Sequence, residues 1–112
     1  MRKKRKFKRK AAQRKALMKS LTRELFLKGK IITTLSKAKE VSSFAQKQIE
    51  KAKKGSLHHR RLLLRYFSKD VVKKLLDEIA PRYKDRKGGY IRIIKYGRRN
   101  SDAAEIAQIE LV

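Results

Sequence analysis

The segment Ser68–Pro81, SKDVVKKLLDEIAP, carries the clearest folding instruction in the chain. Val71, Val72, Leu75, Leu76 and Ile79 stand at i, i+1, i+4, i+5 and i+8, the spacing that gathers apolar side chains on one face of a helix. Ser68 can cap its start, and Asp70 falls in the first turn, where a carboxylate meets the positive end of the helix dipole. Pro81, which has no N–H and clashes with the preceding turn, ends it. This helix is expected at the centre of the core.

Toward the N-terminus, Ser56 can cap a short helix holding Leu57, Leu62, Leu63, Leu64 and Phe67, interleaved with His58, His59, Arg60, Arg61 and Arg65. Before it, Ala38, Val41, Ala45, Ile49 and Ala52 trace a thin stripe of small residues down another helix, with Ser36 as its N-cap and Gly55 as its stop. One side of that helix should face the body, and its lysine-rich side solvent or phosphate. Lys30–Thr34 is short and β-branched and reads as a strand bounded by Gly29. Met18, Leu21, Leu25 and Phe26, with Leu17 alongside, mark a first helix from about Ala11 to Lys28.

Toward the C-terminus, a polar loop from Arg82 to Gly89 leads into alternating residues from Tyr90 to Tyr96, and a second alternating run spans Glu105 to Val112. Together they predict a hairpin. Its loop, Gly97 to Ala104, is longer than a tight turn and contains Arg98 and Arg99, so it reads as a contact loop. The whole is one α+β domain over residues 11–112, about four helices packed on a three-stranded mixed sheet, preceded by a basic extended N-terminal arm over residues 1–10. Helices one, two and four are expected to pack around the sheet. No segment repeats at a fixed period, and nothing marks a second domain.

Composition names the sign of the partner. The formal net charge is +24 over 112 residues, with 40% hydrophobic and 39% charged residues, more apolar than a disordered tail and more charged than an average domain. Met1 to Arg23 holds twelve Lys or Arg and no acid. Like charges this dense lie well within the ~8 Å screening length at physiological salt, so the segment repels itself and would gain order beside a polyanion. Neutralising about ten phosphates would give a log–log salt slope of about −7 to −9. Arginine clusters at Arg60-Arg61 and Arg98-Arg99 would position such a partner by bidentate clamps, while lysines neutralise.

Several chemistries are excluded. There is no cysteine, so thiolate metal sites, disulfides and cysteine nucleophiles fall away. His58 and His59 are adjacent, hence about 100° apart on a helix, and no third ligand stands at a helical spacing, so no metal is expected. Asp77 and Glu78 diverge in the same way, which argues against paired-carboxylate catalysis. No nucleophile elbow, P-loop or dinucleotide fingerprint occurs, so neither an enzyme, a cofactor nor a small-molecule substrate is expected. The longest unbroken aliphatic run, Leu62 to Leu64, is far too short for a membrane span, and the first ten residues lack an amphipathic face for a membrane surface. Charge by itself leaves RNA and DNA open, and an architectural DNA-binding protein of the nucleoid type is the alternative.

Pro81-Arg82-Tyr83, Arg86, Gly88-Gly89-Tyr90, Arg92-Ile93, Lys95, Gly97, Arg99, Asp102 and the terminal Ile109-Glu110-Leu111-Val112 form a long ordered pattern. With Arg14 and Ala16, Thr33-Thr34-Leu35, Lys37-Ala38-Lys39-Glu40 and Arg60-Arg61-Leu62, the chain resembles the bacterial large-subunit ribosomal protein family numbered seventeen. The resemblance implies an α+β structural protein of the cytoplasmic ribosome. It implies binding to large-subunit ribosomal RNA near the outer end of the peptide exit tunnel, beside neighbouring large-subunit ribosomal proteins. The residues expected to meet RNA are Arg2, Lys3, Lys4, Arg5, Lys6, Lys8, Arg9, Lys10, Arg14, Lys15, Lys37, Lys39, Arg60, Arg61, Arg82, Arg86, Lys87, Arg92, Lys95, Arg98 and Arg99, with the motif residues Thr33, Thr34 and Tyr90.

Overall fold

From Arg2 to Lys28 there is neither glycine nor proline, and good helix formers fill most positions. In the computed structural model, which describes residues 2–99 and 101–112 with side chains from Lys10 onward, helix α1 accordingly runs Arg2–Lys28. Its start lies well before Ala11, so the backbone expected to form an extended arm belongs to α1. The side chains of Arg2, Lys3, Lys4, Arg5, Lys6, Lys8 and Arg9 lie outside the described residues. Gly29 closes α1 at φ +83°, donating its N–H to the Leu25 carbonyl at 2.8 Å.

Strand β1, Lys30–Thr34, leads directly into α2, Leu35–Lys54. The N-cap is Thr34 and not Ser36, because the last residue of the strand already has the extended backbone (ψ 151°) that an N-cap adopts. Gly55 ends α2 at φ +64°. Helix α3, Leu57–Leu64, is capped by Ser56, whose Oγ accepts the His59 N–H at 3.3 Å.

Helix α4, Lys69–Lys74, does not stop at Pro81. It widens into a π turn, Leu75–Ile79, and continues as a last turn, α5, Ala80–Arg82. Pro81 cannot donate to a carbonyl four residues back and its ring needs room there. The wider turn, closed by the Ala80 N–H on the Leu75 carbonyl, lies just before it.

Strands β2, Ile91–Arg98, and β3, Glu105–Leu111, complete a sheet of order β1-β3-β2. Both pairings are antiparallel, so the sheet is not mixed. The β2–β3 hairpin sets the direction of β3, and β1 pairs against it with Ile31 opposite Ile109. In β2, Lys95 faces Ala107 and Gly97 faces Ile106, so Tyr96 is an extra, bulged residue.

The hub of the core is α2 and not α4. Helix α2 contacts α1, α3, the π turn, α5 and all three strands, whereas α4 packs on α1 and α3. Ala38, Ala45 and Ala52 make this possible: side chains this small let neighbouring backbones approach α2, with Val41 and Ile49 filling between. The stripe Val71, Val72, Leu75 and Ile79 is buried as its spacing requires, but Leu76 is only half-buried. The Phe26 and Phe67 rings meet edge to face at 5.6 Å. The C-terminus is tied down by the Tyr83 hydroxyl donating to the Val112 carbonyl at 2.7 Å and the Val112 N–H donating to Tyr90 at 2.9 Å.

Candidate nucleic-acid interface

The basic side chains of the helices are positioned by elements whose apolar faces are already committed to the core. On α2, burial of Ala38, Val41, Ala45, Ile49 and Ala52 turns Lys37, Lys39, Lys47 and Lys54 outward. On α1, Leu25 and Phe26 are buried while Lys10, Arg14 and Lys15 are exposed. The two helices pack together, and a groove of about 520 Å³ lies between them over Met18 and Phe44, rimmed by Lys39, Glu40 and Lys47. Arg14 bridges to Glu40 across the helices at 3.3 Å. Beside this groove the half-exposed Tyr66 ring has the Lys19 and Lys51 ammonium groups 5.2 and 5.5 Å from its centroid, and the Phe44 ring stands edge-on at 5.5 Å.

A second basic region lies on α3. Arg60 and Arg61 are exposed, and Arg60 rims a cleft toward α4. His59 Nδ1 lies 2.5 Å from the Ser56 Oγ, and burial, followed by the charge of Lys54, pushes its pKa below the usual histidine value.

The loop after α5 is shaped from inside. Lys53 Nζ donates to the Tyr90 hydroxyl at 2.7 Å and to the Arg86 carbonyl, and the Tyr90 hydroxyl donates to Glu50. Tyr90 is therefore a core residue, fully buried, with its ring 5.0 Å from that of Tyr83, and it is not offered to a partner as expected. Its outward role falls to its neighbours. Arg82, Arg86 and Lys87 are exposed around Gly88 and Gly89, the Arg82 guanidinium lies 5.9 Å from the Tyr83 ring, and Arg86 donates to the Gly89 carbonyl at 3.4 Å.

The hairpin presents a third set. Arg98 and Arg99 are both exposed, but they are not equivalent. Arg99 grips Asp102 through Nε and Nη2 at 3.1 and 2.8 Å, and the Asp102 carboxylate also accepts the Ala104 N–H at 3.1 Å. The Arg99 hydrogen bonds, then that N–H, hold the Asp102 pKa below the ordinary carboxylate value. Arg99 thus shapes the loop, which also turns at Ala103 with φ +57°. Arg92 pairs with Glu110 at 3.5 Å, and Lys95 is exposed. Thr33 and Thr34 are only half-buried, and the Thr34 Oγ1 is buried without a hydrogen-bond partner among the described residues.

These cations do not converge on one spot. They are spread over a body of 41 × 40 × 22 Å, several times the ~8 Å screening length, so each region must answer to its own stretch of negative charge. No cluster of three or more metal-capable side chains occurs among the described residues.

A family model described as ribosomal protein L17 matches residues 17–112. The chain belongs to the ribosomal protein L17 family. It is 55% identical to the large ribosomal subunit protein bL17 of Dictyoglomus turgidum, over 89% of this chain and 87% of that protein. It is 54% identical to the bL17 of Halothermothrix orenii, over 90% of each. The bL17 of Thermoanaerobacter pseudethanolicus is 50% identical over 96% of this chain and 97% of its own length.

Within this L17 chain, sequence reasoning passed over Lys19, Lys47, Lys51, Tyr66 and Phe44 as members of a basic, aromatic surface. Lys47 and Lys51, four apart on α2, were a legible signal of one face. The joining of Tyr66 to Lys19 was not, because the two are far apart in the chain and meet only through packing.

Proposed function

We propose that this L17-family chain is a structural constituent of the large ribosomal subunit in the cytoplasm, acting through binding of large-subunit ribosomal RNA near the outer end of the peptide exit tunnel, beside other large-subunit proteins. No reaction is involved. The observation that carries the reading is the distribution of charge: exposed cations on α1, α2, α3, the Arg82–Lys87 loop and the hairpin surround a small core. A single enzymatic or peptide-binding cleft has no use for that arrangement, whereas it suits several phosphate backbones meeting at one small body. The Tyr66 surface adds an aromatic ring between ammonium groups, a combination used where bases leave the duplex.

The test is co-sedimentation of tagged protein with large subunits through a moderate-salt wash, with crosslinks read as residue-to-nucleotide pairs. Retention on large subunits and crosslinks to exit-region nucleotides are expected. Loss of the protein from the particle refutes the assignment, and crosslinks confined to other regions refute the location. Equal affinity for duplex DNA and ribosomal RNA fragments would favour a DNA-binding role instead.

A further inference from the structure

The cleft between α3 and α4 differs from the α1–α2 groove in its anion, for Glu40 of the groove is held by Arg14 at 3.3 Å, whereas Asp77 of the cleft is in no ion pair among the described residues. The cleft is open to solvent and measures about 460 Å³, within the ~300–1,000 Å³ of clefts that seat small organic groups. Its floor is apolar, made by Leu64, Val72 and Leu76, and Leu64 keeps 41% of its surface exposed. Its rim carries three cations, Arg60, Lys69 and Lys73. One anion, Asp77 of the π turn, lines the same cleft. Lys73 and Asp77 stand four apart, a spacing that brings side chains together along a regular helix. Yet the π turn begins between them, and no Lys or Arg among the described residues lies within 4.0 Å of the Asp77 carboxylate.

An apolar floor without a cover, ringed by positive charge, fits a ligand that is flat and apolar on its faces and anionic at its edge. An unpaired nucleotide has that build: the base lies on the leucines and valine, and its phosphates reach the rim. Asp77 weakens attraction for phosphate in general, so its contribution is discrimination. A carboxylate accepts hydrogen bonds from an exocyclic amino group, such as cytosine N4, and repels a carbonyl such as the uracil O4.

Resting on the RNA-binding reading above, we propose that the α3–α4 cleft holds one unpaired RNA base that presents an amino group, with Asp77 as the selecting acceptor and Arg60, Lys69 and Lys73 holding the flanking phosphates. The full chain, labelled at its Leu and Val methyl groups, would be titrated at neutral pH with single-stranded oligocytidylate, oligouridylate of equal length, and a fully paired RNA hairpin. Oligocytidylate should shift the Leu64, Val72 and Leu76 methyl signals and bind about fivefold or more tightly than oligouridylate. Asp77→Asn should bring that ratio to within about twofold of one, without weakening the hairpin, because it removes a negative charge. Leu64→Ala, at an exposed position that leaves the core intact, should weaken oligocytidylate several-fold. Equal binding of the two oligonucleotides with unmoved methyl signals overturns the proposal, as does a preference that survives Asp77→Asn. If the hairpin still binds with a steep salt dependence, only the cleft assignment has failed. If no RNA binds in a salt-dependent way, the RNA-binding reading has failed with it.

Discussion

Leu75→Ala separates the two leucines that the spacing of the Ser68–Pro81 helix treats alike. Leu75 is fully buried, whereas Leu76 is half-buried on the floor of the α3–α4 cleft. Removing a buried leucine side chain forfeits its transfer free energy and leaves a cavity, together about 2 to 5 kcal/mol depending on how far the site collapses. Collapse is restricted here. Leu75 opens the π turn, its carbonyl holds the Ala80 N–H, and Pro81 fixes the backbone directly beyond. We therefore expect about 3 to 4 kcal/mol, against a total stability of roughly 6 to 17 kcal/mol for 112 residues at typical per-residue values. In urea the midpoint should fall by about 2 M with the slope unchanged, and the thermal midpoint by about 10 to 20 °C. Leu76→Ala, measured alongside, should cost about 1 to 2 kcal/mol, because much of that side chain is already in contact with water. A Leu75→Ala loss below about 1 kcal/mol, or a larger loss for Leu76→Ala, would refute the placement of the core face.

The other expectations test charge and backbone. Arg60→Ala with Arg61→Ala should reduce the log–log salt slope of ribosomal RNA binding by about 1 to 2 while leaving the urea midpoint unchanged, since both side chains are exposed; an unchanged slope would show them solvated in the complex. Gly29→Ala should cost about 1 to 2 kcal/mol by urea unfolding. An added Cβ meets nothing within 4 Å there, so the whole cost is that of φ +83°, and a neutral variant would show that the α1 cap relaxes. Asp102, bonded by Arg99, and Glu24, bonded by Lys28, both have carboxyl pKa values below the ordinary range. A depressed carboxyl contributes stability that is present above its unfolded pKa of about 4 and is lost as pH falls through the folded value. The urea midpoint should ease as pH falls from about 7 to 5, because the unfolded chain takes up a proton at His59 that the fold disfavours, and should decline again below about pH 4 as the two carboxylates protonate; no further decline between about pH 5 and 3 would contradict the two pairings.

The local instructions were legible because they are written in neighbouring residues. The left-handed glycines at Gly29 and Gly55, the Ser56 cap, the β-branched strand Lys30–Thr34 and the buried face of α4 all follow from contacts within a turn or two. What misled was each point where packing overrode a local preference. The stripe of α2 read as one side of a helix set against the body, with the centre of the core assigned to the Ser68–Pro81 helix, yet the small size of that stripe is what lets α1, α3, the π turn, α5 and the three strands approach α2. Tyr90 read as partner-facing because it stands among the motif residues. In the fold it closes the core through Lys53 and Glu50, whereas Arg99 keeps an exposed side chain while its guanidinium holds Asp102.

Sequence by itself determined that this chain is one basic α+β domain suited to a polyanion, since charge density, cysteine content and apolar periodicity are additive properties of the residues. It also carried the ordered pattern from Pro81 to Val112 that marks the L17 family. Only the tertiary structure decided that the sheet is wholly antiparallel, that α2 is its support, and which cations share a surface with Tyr66 or with the α3–α4 cleft. Those outcomes depend on contacts between residues distant in the chain, where the volume of one side chain sets how closely another can approach, and no local pattern records that.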